Sequence, residues 1–170
     1  MKRYFAVMLA LCVLFVGVGE AKSSKKKGRL SVSAGVSVYN PPGTSSSSLL
    51  FEIAAKYRVS DKFTADMSVG WTQYDDVTLM PIKLNGEFHP LGDKVFDPYV
   101  GAGSGLYLSK VLETTSATVG VQAFAGLKYS PSNGIGFSGQ VEYMLTDISD
   151  ANSGGLSFGG NVEGNWEVDM

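Results

Sequence analysis

Few residues in this chain of 170 could do chemistry, and their spacing narrows the choice. His89 is the single histidine, and Pro90 follows it. An imidazole serves as a general base when a nucleophile lies within hydrogen-bond reach. No His-x-Ser arrangement surrounds His89, so a plain turn residue is the expectation. Asp75 and Asp76, and Asp147 with Asp150, could hold calcium on loops. They lack ordered ligand spacing around a central glycine, so solvated loop acids are expected. The stretch Pro98 to Tyr107, PYVGAGSGLY, carries Gly101, Gly103 and Gly105. A dinucleotide turn of the form G-x-G-x-x-G would need its third glycine at Leu106, with a helix after it. Neither is present. The sequence therefore predicts no catalytic set, no cofactor and no metal site, and no enzyme.

The elements around these residues begin with a distinct N-terminal segment. Lys2 and Arg3 precede Tyr4 to Gly19, which is uncharged and almost wholly apolar. Small residues follow at Gly19 and Ala21. This predicts a secretory signal peptide over 1–21, cleaved after about Ala21. The rival, a retained signal anchor, meets a run short of the roughly 20 residues a spanning helix needs. Residues 22–28 form a basic leader, in which Lys25 to Lys27 could touch anionic headgroups or simply be solvated. Cys12, the only cysteine, lies inside the signal. Leu11 stands before it where a lipidated cysteine wants a small residue. The mature chain would have neither a disulfide nor a thiolate metal site. It keeps 12 Lys and Arg against 15 Asp and Glu, about −3 overall, which leaves no nucleic-acid footprint.

From Arg29 onward the period is two. Leu30, Val32, Ala34, Val36 and Val38 alternate with small polar residues. Leu49 to Val59 places Phe51, Ile53 and Tyr57 on one face and Glu52, Lys56 and Arg58 on the other. Phe63, Met67, Val69 and Trp71 oppose Asp66; Ile82, Leu84 and Phe88 oppose Lys83, Asn85 and Glu87. Val100, Ala102, Leu106 and Leu108 oppose the three glycines. Val119, Val121 and Tyr129 oppose Gln122 and Lys128; Phe137, Val141 and Tyr143 oppose Glu142; Phe158, Val162 and Trp166 oppose Glu163 and Glu167. Eight candidate strands of about ten residues result, the length that crosses a bilayer when tilted. The fold class is all-β: an eight-stranded antiparallel up-and-down transmembrane β-barrel over residues 29–170. Closure leaves no backbone edge unpaired in lipid. Pro81 weakens the fourth strand because it donates no ladder hydrogen bond. The links Asn40–Ser48, Gln73–Val77, Ser109–Ala117 and Asp147–Gly155 are expected to be mostly longer and to face out of the cell.

A barrel of eight strands can be apolar inside, as a soluble ligand binder, or apolar outside, in a membrane. Two features favour the membrane. The polar face combines charge with many Gly and Ser, as a narrow lumen requires. The aromatics of the apolar face fall into two bands, Tyr57, Phe63, Phe88, Tyr129, Phe137 and Trp166 at one depth, and Phe51, Trp71, Tyr143 and Phe158 at the other. Such bands are the girdles that bilayer interfaces select. The lumen charges then comprise Glu52, Lys56, Arg58, Asp66, Lys83, Glu87, Lys128, Glu142, Glu163 and Glu167. They are expected to pair and mostly plug the lumen, with the three glycines leaving room for long charged partners.

The stretch VTLMPIKLNGEFHPLGDKVFDPYVGAGSGLYL resembles the middle of small outer-membrane barrels of the OmpW, OmpA-transmembrane and opacity-protein group. The shared pattern is an apolar strand, a short turn, then Pro98, Tyr99, Val100, Gly101, Ala102, Gly103 and an aromatic, Tyr107. The resemblance implies residence in the bacterial outer membrane, with lipid and the assembly machinery as partners. Members typically end in Phe or Trp; this chain ends WEVDM, with Met170 keeping the alternation. A monomer with a structural or surface-interacting role is expected. Alternatives are a narrow channel for small or hydrophobic solutes and a soluble periplasmic lipocalin-like binder.

Overall fold

Strict alternation of apolar and polar side chains gives each segment two unlike faces, and eight such segments close on one another. A computed structural model describes residues 29–42, 46–92, 94–131 and 134–167. The expected signal peptide, the basic leader and Met170 lie outside the described residues. The strands are β1 (Arg29–Asn40), β2 (Ser48–Ser60), β3 (Phe63–Tyr74), β4 (Val77–Phe88), β5 (Phe96–Val111), β6 (Thr114–Tyr129), β7 (Ile135–Leu145) and β8 (Gly154–Glu167). They form one closed barrel in sequence order, every neighbouring pair antiparallel. Closure runs from Arg29 opposite Glu167 to Asn40 opposite Leu156. Both chain ends of the barrel thus share one rim, called here the terminal end.

Two irregularities interrupt the ladders. At the terminal end of β2, the register against β3 shifts between Arg58 and Ser60, a one-residue bulge at Val59. Pro81 opens a gap in the β3–β4 ladder. Pairing stops after Val69 with Ile82 and resumes at Thr72 with Leu79 without a change of register. The missing N–H therefore costs local pairing only, although Pro81 lies well inside β4 rather than at its edge.

Two expected links are much shorter than the sequence suggested. Asp75 and Asp76 alone join β3 to β4, and Leu112 and Glu113 alone join β5 to β6. Asp75 and Leu112 take the left-handed turn conformation, with φ of 48° and 52°. Residues 109–111 and 114–117, expected as loop, continue the ladder from Ser109 with Ser116 to Val111 with Thr114. Strands β5 and β6 have 16 residues each, more than the roughly 9–11 that cross a bilayer. Their hairpin stands beyond the end of β7, which meets β6 only from Val121 onward.

Candidate functional site

The direction of the side chains settles which kind of barrel this is. Val121 and Val141 are exposed on the outside, as are Val36, Met67, Leu84 and Leu106, while Lys83, Asp66 and Glu142 are buried within. Ile53, opposite Ala34 and Val69, is half-buried on the same outer face. A soluble ligand-holding barrel requires the reverse, so that reading is overturned. The lumen is the candidate site.

Its charges meet across strands. Lys83 of β4 is 1% exposed at its side chain and lies 2.6 Å from Glu52 of β2 and 2.8 Å from Glu142 of β7. One cation thereby ties three strands together. Lys128 of β6 pairs with Glu163 of β8 at 2.5 Å. Lys56 of β2 lies 2.7 Å from Glu87 and 4.0 Å from Asp66. Its ammonium also stands 5.8 Å from the centre of the Tyr99 ring, within cation–π range. Arg58 approaches Asp97 at 3.7 Å. An amide relay continues from Asp66. Asn85 donates to Asp66 (2.7 Å), Gln122 donates to Asn85 (2.5 Å), and Tyr107 donates to Gln122 (2.9 Å). Each of these side chains is thus bonded to another, as the low dielectric demands, whereas the buried Ser68 hydroxyl has no hydrogen-bond partner. Of the charges expected in the lumen, nine fall in this set; Glu167 lies in β8, with its side chain outside the described residues, as does that of Trp166.

The lumen is not polar throughout. At the end opposite the termini, Tyr39, Leu50, Leu79, Tyr107 and Met144 form a buried apolar cluster, with Tyr74 packed against it. Tyr39 meets Tyr74 edge to face at 6.0 Å. Lower down, Tyr99 and Phe124 make a second edge contact at 6.2 Å. A cavity of about 10 Å³ remains among Ser33, Glu52, Lys56, Asp66, Lys83, Glu87 and Phe124. That is space for roughly one water molecule.

The glycines of β5 serve this filling differently from the expectation. A Cβ at Gly101 would overlap the Phe124 ring, and one at Gly103 would overlap the Asn85 side chain and the Leu84 carbonyl. Only Gly105 lies beside a long charged chain: its Cβ would stand 3.3 Å from Lys83, and 2.7 Å from the Ile82 carbonyl. Rings rather than charges are the commonest tenants. Tyr107 lies over Gly120, Tyr99 over Gly126 and Tyr39 over Gly155. Gly120→Ala should therefore destabilise the barrel by about 1–3 kcal/mol, because the new methyl meets both Tyr107 and the fixed Leu145 carbonyl. Urea unfolding in lipid checks this; an unchanged midpoint would show that the ring has room to retreat.

His89 is not the plain turn residue expected. It follows β4 directly, is 3% exposed, and stacks on Tyr99 with ring centres 5.5 Å apart. Its Nδ1 lies 2.8 Å from Asp97 and its Nε2 3.3 Å from Glu87. Two of the loop acids are engaged locally. Asp147 accepts hydrogen bonds from the side chain and backbone of Ser149, which hold its carboxyl below the usual range. Asp150 caps the short 3-10 turn Ala151–Ser153 by accepting from Asn152 N.

The expected aromatic bands all lie on the outer face where described. Phe63 meets Phe88 at 5.2 Å near the terminal end, while Tyr129 and Phe137 sit opposite one another. Phe51 meets Trp71 at 6.4 Å further along, and Tyr57, Tyr143 and Phe158 are exposed. Phe96, absent from the sequence reading, joins Tyr129 at 4.9 Å. Its position, first in β5 and on the parity of Pro98 and Val100, was the available signal.

An eight-stranded closed barrel, apolar outward and charged inward, defines a class of membrane protein. The chain belongs to the family described as outer membrane protein beta-barrel domain, whose model matches residues 8–163. Its place is the bacterial outer membrane. The fold is similar to the N-terminal β-barrel domain of Pseudomonas aeruginosa OprF, with a TM-score of 0.69 and 18% identity over 84% of this chain and all of that one. It is also similar to Neisserial surface protein A (0.66, 15% identity, 84% of this chain and 99% of that one). The outer membrane enzyme PagL shares the fold more loosely, with a TM-score of 0.52 and 17% identity over 78% of this chain and 97% of that one. No curated protein matches the sequence.

Proposed function

We propose that this protein is a closed outer-membrane barrel with a structural or surface-contact role, neither a passage nor a catalyst. The filled lumen carries the reading. Salt bridges, the amide relay and the apolar cluster occupy it, and among the described residues a cavity between them has room for about one water. A channel for small solutes needs a continuous path. Catalysis by His89 finds no support either, because both ring nitrogens face carboxylates rather than a hydroxyl. The termini face the periplasm, as in barrels of even strand number. The links 41–47, 75–76, 112–113 and 146–153 then face outward, and the β5–β6 hairpin, built from the two longest strands, reaches past β7 on that side. Partners are lipid and the assembly machinery, and the barrel acts as a monomer. Purified protein in planar bilayers should show no steady, large conductance. A stable open level would contradict the plug and favour the narrow channel.

A further inference from the structure

The terminal mouth of the lumen contains an arrangement that needs one more proton than its neutral parts supply. Both ring nitrogens of His89 are directed at carboxylate oxygens, Nδ1 at Asp97 and Nε2 at Glu87. A neutral imidazole donates from one nitrogen only, and an ionised carboxylate only accepts. Both contacts are attractive only if an additional proton resides in the trio.

We propose that His89 is a proton-operated latch on the terminal half of the plug. The inference rests on the closed-lumen reading and adds a means of loosening it. With the proton present, His89 links β4, through Glu87, to Asp97 of β5. Through those two acids it reaches Lys56 and Arg58 of β2. Lys128 of β6 stands in register with Asp97 and is held by Glu163 of β8. Tyr99 of β5 covers the ring face, and the Lys62 carbonyl in the β2–β3 turn accepts the His89 backbone N–H at 2.8 Å. When the proton leaves, one nitrogen lone pair faces a carboxylate and that contact turns repulsive. The mouth then loosens as pH rises. The Lys83 triad and the apolar cluster contain no part of the latch, so the far half stays shut.

Because His89 is the only histidine, nitrogen-15 histidine labelling of untagged protein in lipid nanodiscs gives one residue's signals without assignment. Both ring nitrogens should carry protons while the latch is closed, and one should lose its proton on raising the pH. A ring with a single proton throughout about pH 5–8 would overturn the latch. Thiol labelling reads the consequence in a Cys12→Ser background. Ser31→Cys, buried at the terminal end, should become accessible with rising pH, by about tenfold per pH unit for one linked proton. The reference is the same cysteine with His89→Gln, where this extra increase should vanish. Met144→Cys, in the far cluster, should stay protected at every pH. Labelling of Met144→Cys at all pH values would instead sink the plug itself, whatever the histidine does. An identical pH response of Ser31→Cys with and without His89 would reject the latch and leave the plug standing.

Discussion

Replacing Lys83 with methionine should cost the barrel about 3–5 kcal/mol, the loss expected when one partner of a buried ion cluster is removed. The side chain is almost fully enclosed and is the cation between Glu52 and Glu142. Without it, two carboxylates from β2 and β7 face each other in a space closed to bulk water. Shape is not the cause, since methionine has similar length and fills the same volume. Adding Glu52→Gln and Glu142→Gln should recover most of the loss, because a neutral set removes the unpaired charge. Reversible urea unfolding in lipid vesicles reads both variants. A Lys83→Met chain as stable as the parent would mean that the triad is solvated and the lumen open at that depth.

Val121→Arg tests the opposite face. Val121 is 43% exposed and pairs with Ser104 and Leu145 near the middle of β6. On the lipid side at the bilayer midplane an arginine should cost about 2–4 kcal/mol. Ala117→Arg, on the same face of the same strand but nearer the hairpin tip, should cost no more than about 1 kcal/mol. The contrast separates depth from a general intolerance of the strand. Equal effects at both sites would deny that the outer face meets hydrocarbon.

Much of this organisation was legible in the sequence, for a definite reason. A strand's side chains alternate strictly, so once one residue's side is known the rest follow. Lys83, Asn85 and Glu87 share a parity, and His89 extends it by one more step. The same count would have placed His89 inside. Leu50, between the outward Leu49 and Phe51, and Met144, beside the outward Tyr143, likewise sit on the inward parity. An apolar residue on the polar parity was the sign of the cluster that closes the far end. Other features had no local signal. Thr114 to Thr118 lack apolar alternation because that part of β6 stands beyond the lipid, where nothing selects for it. Leu112 in a left-handed turn follows no turn preference, so the short β5–β6 connection was hidden. Which cation meets which acid depends on register, and register depends on details such as the bulge at Val59.

The central claim is that apolar side chains face lipid and polar ones fill a closed interior. Spin labels placed one at a time from Val119 to Ala125, in a Cys12→Ser chain in bilayers, test it most directly. Oxygen dissolves in lipid, and a water-soluble nickel complex does not. Val119, Val121, Ala123 and Ala125 should be reached by oxygen, while Gln122 and Phe124 should be shielded from both probes. Nickel access at Gln122 and Phe124 would reveal a water-filled lumen, and oxygen access at those positions in place of the odd-numbered ones would reverse the faces and contradict the account.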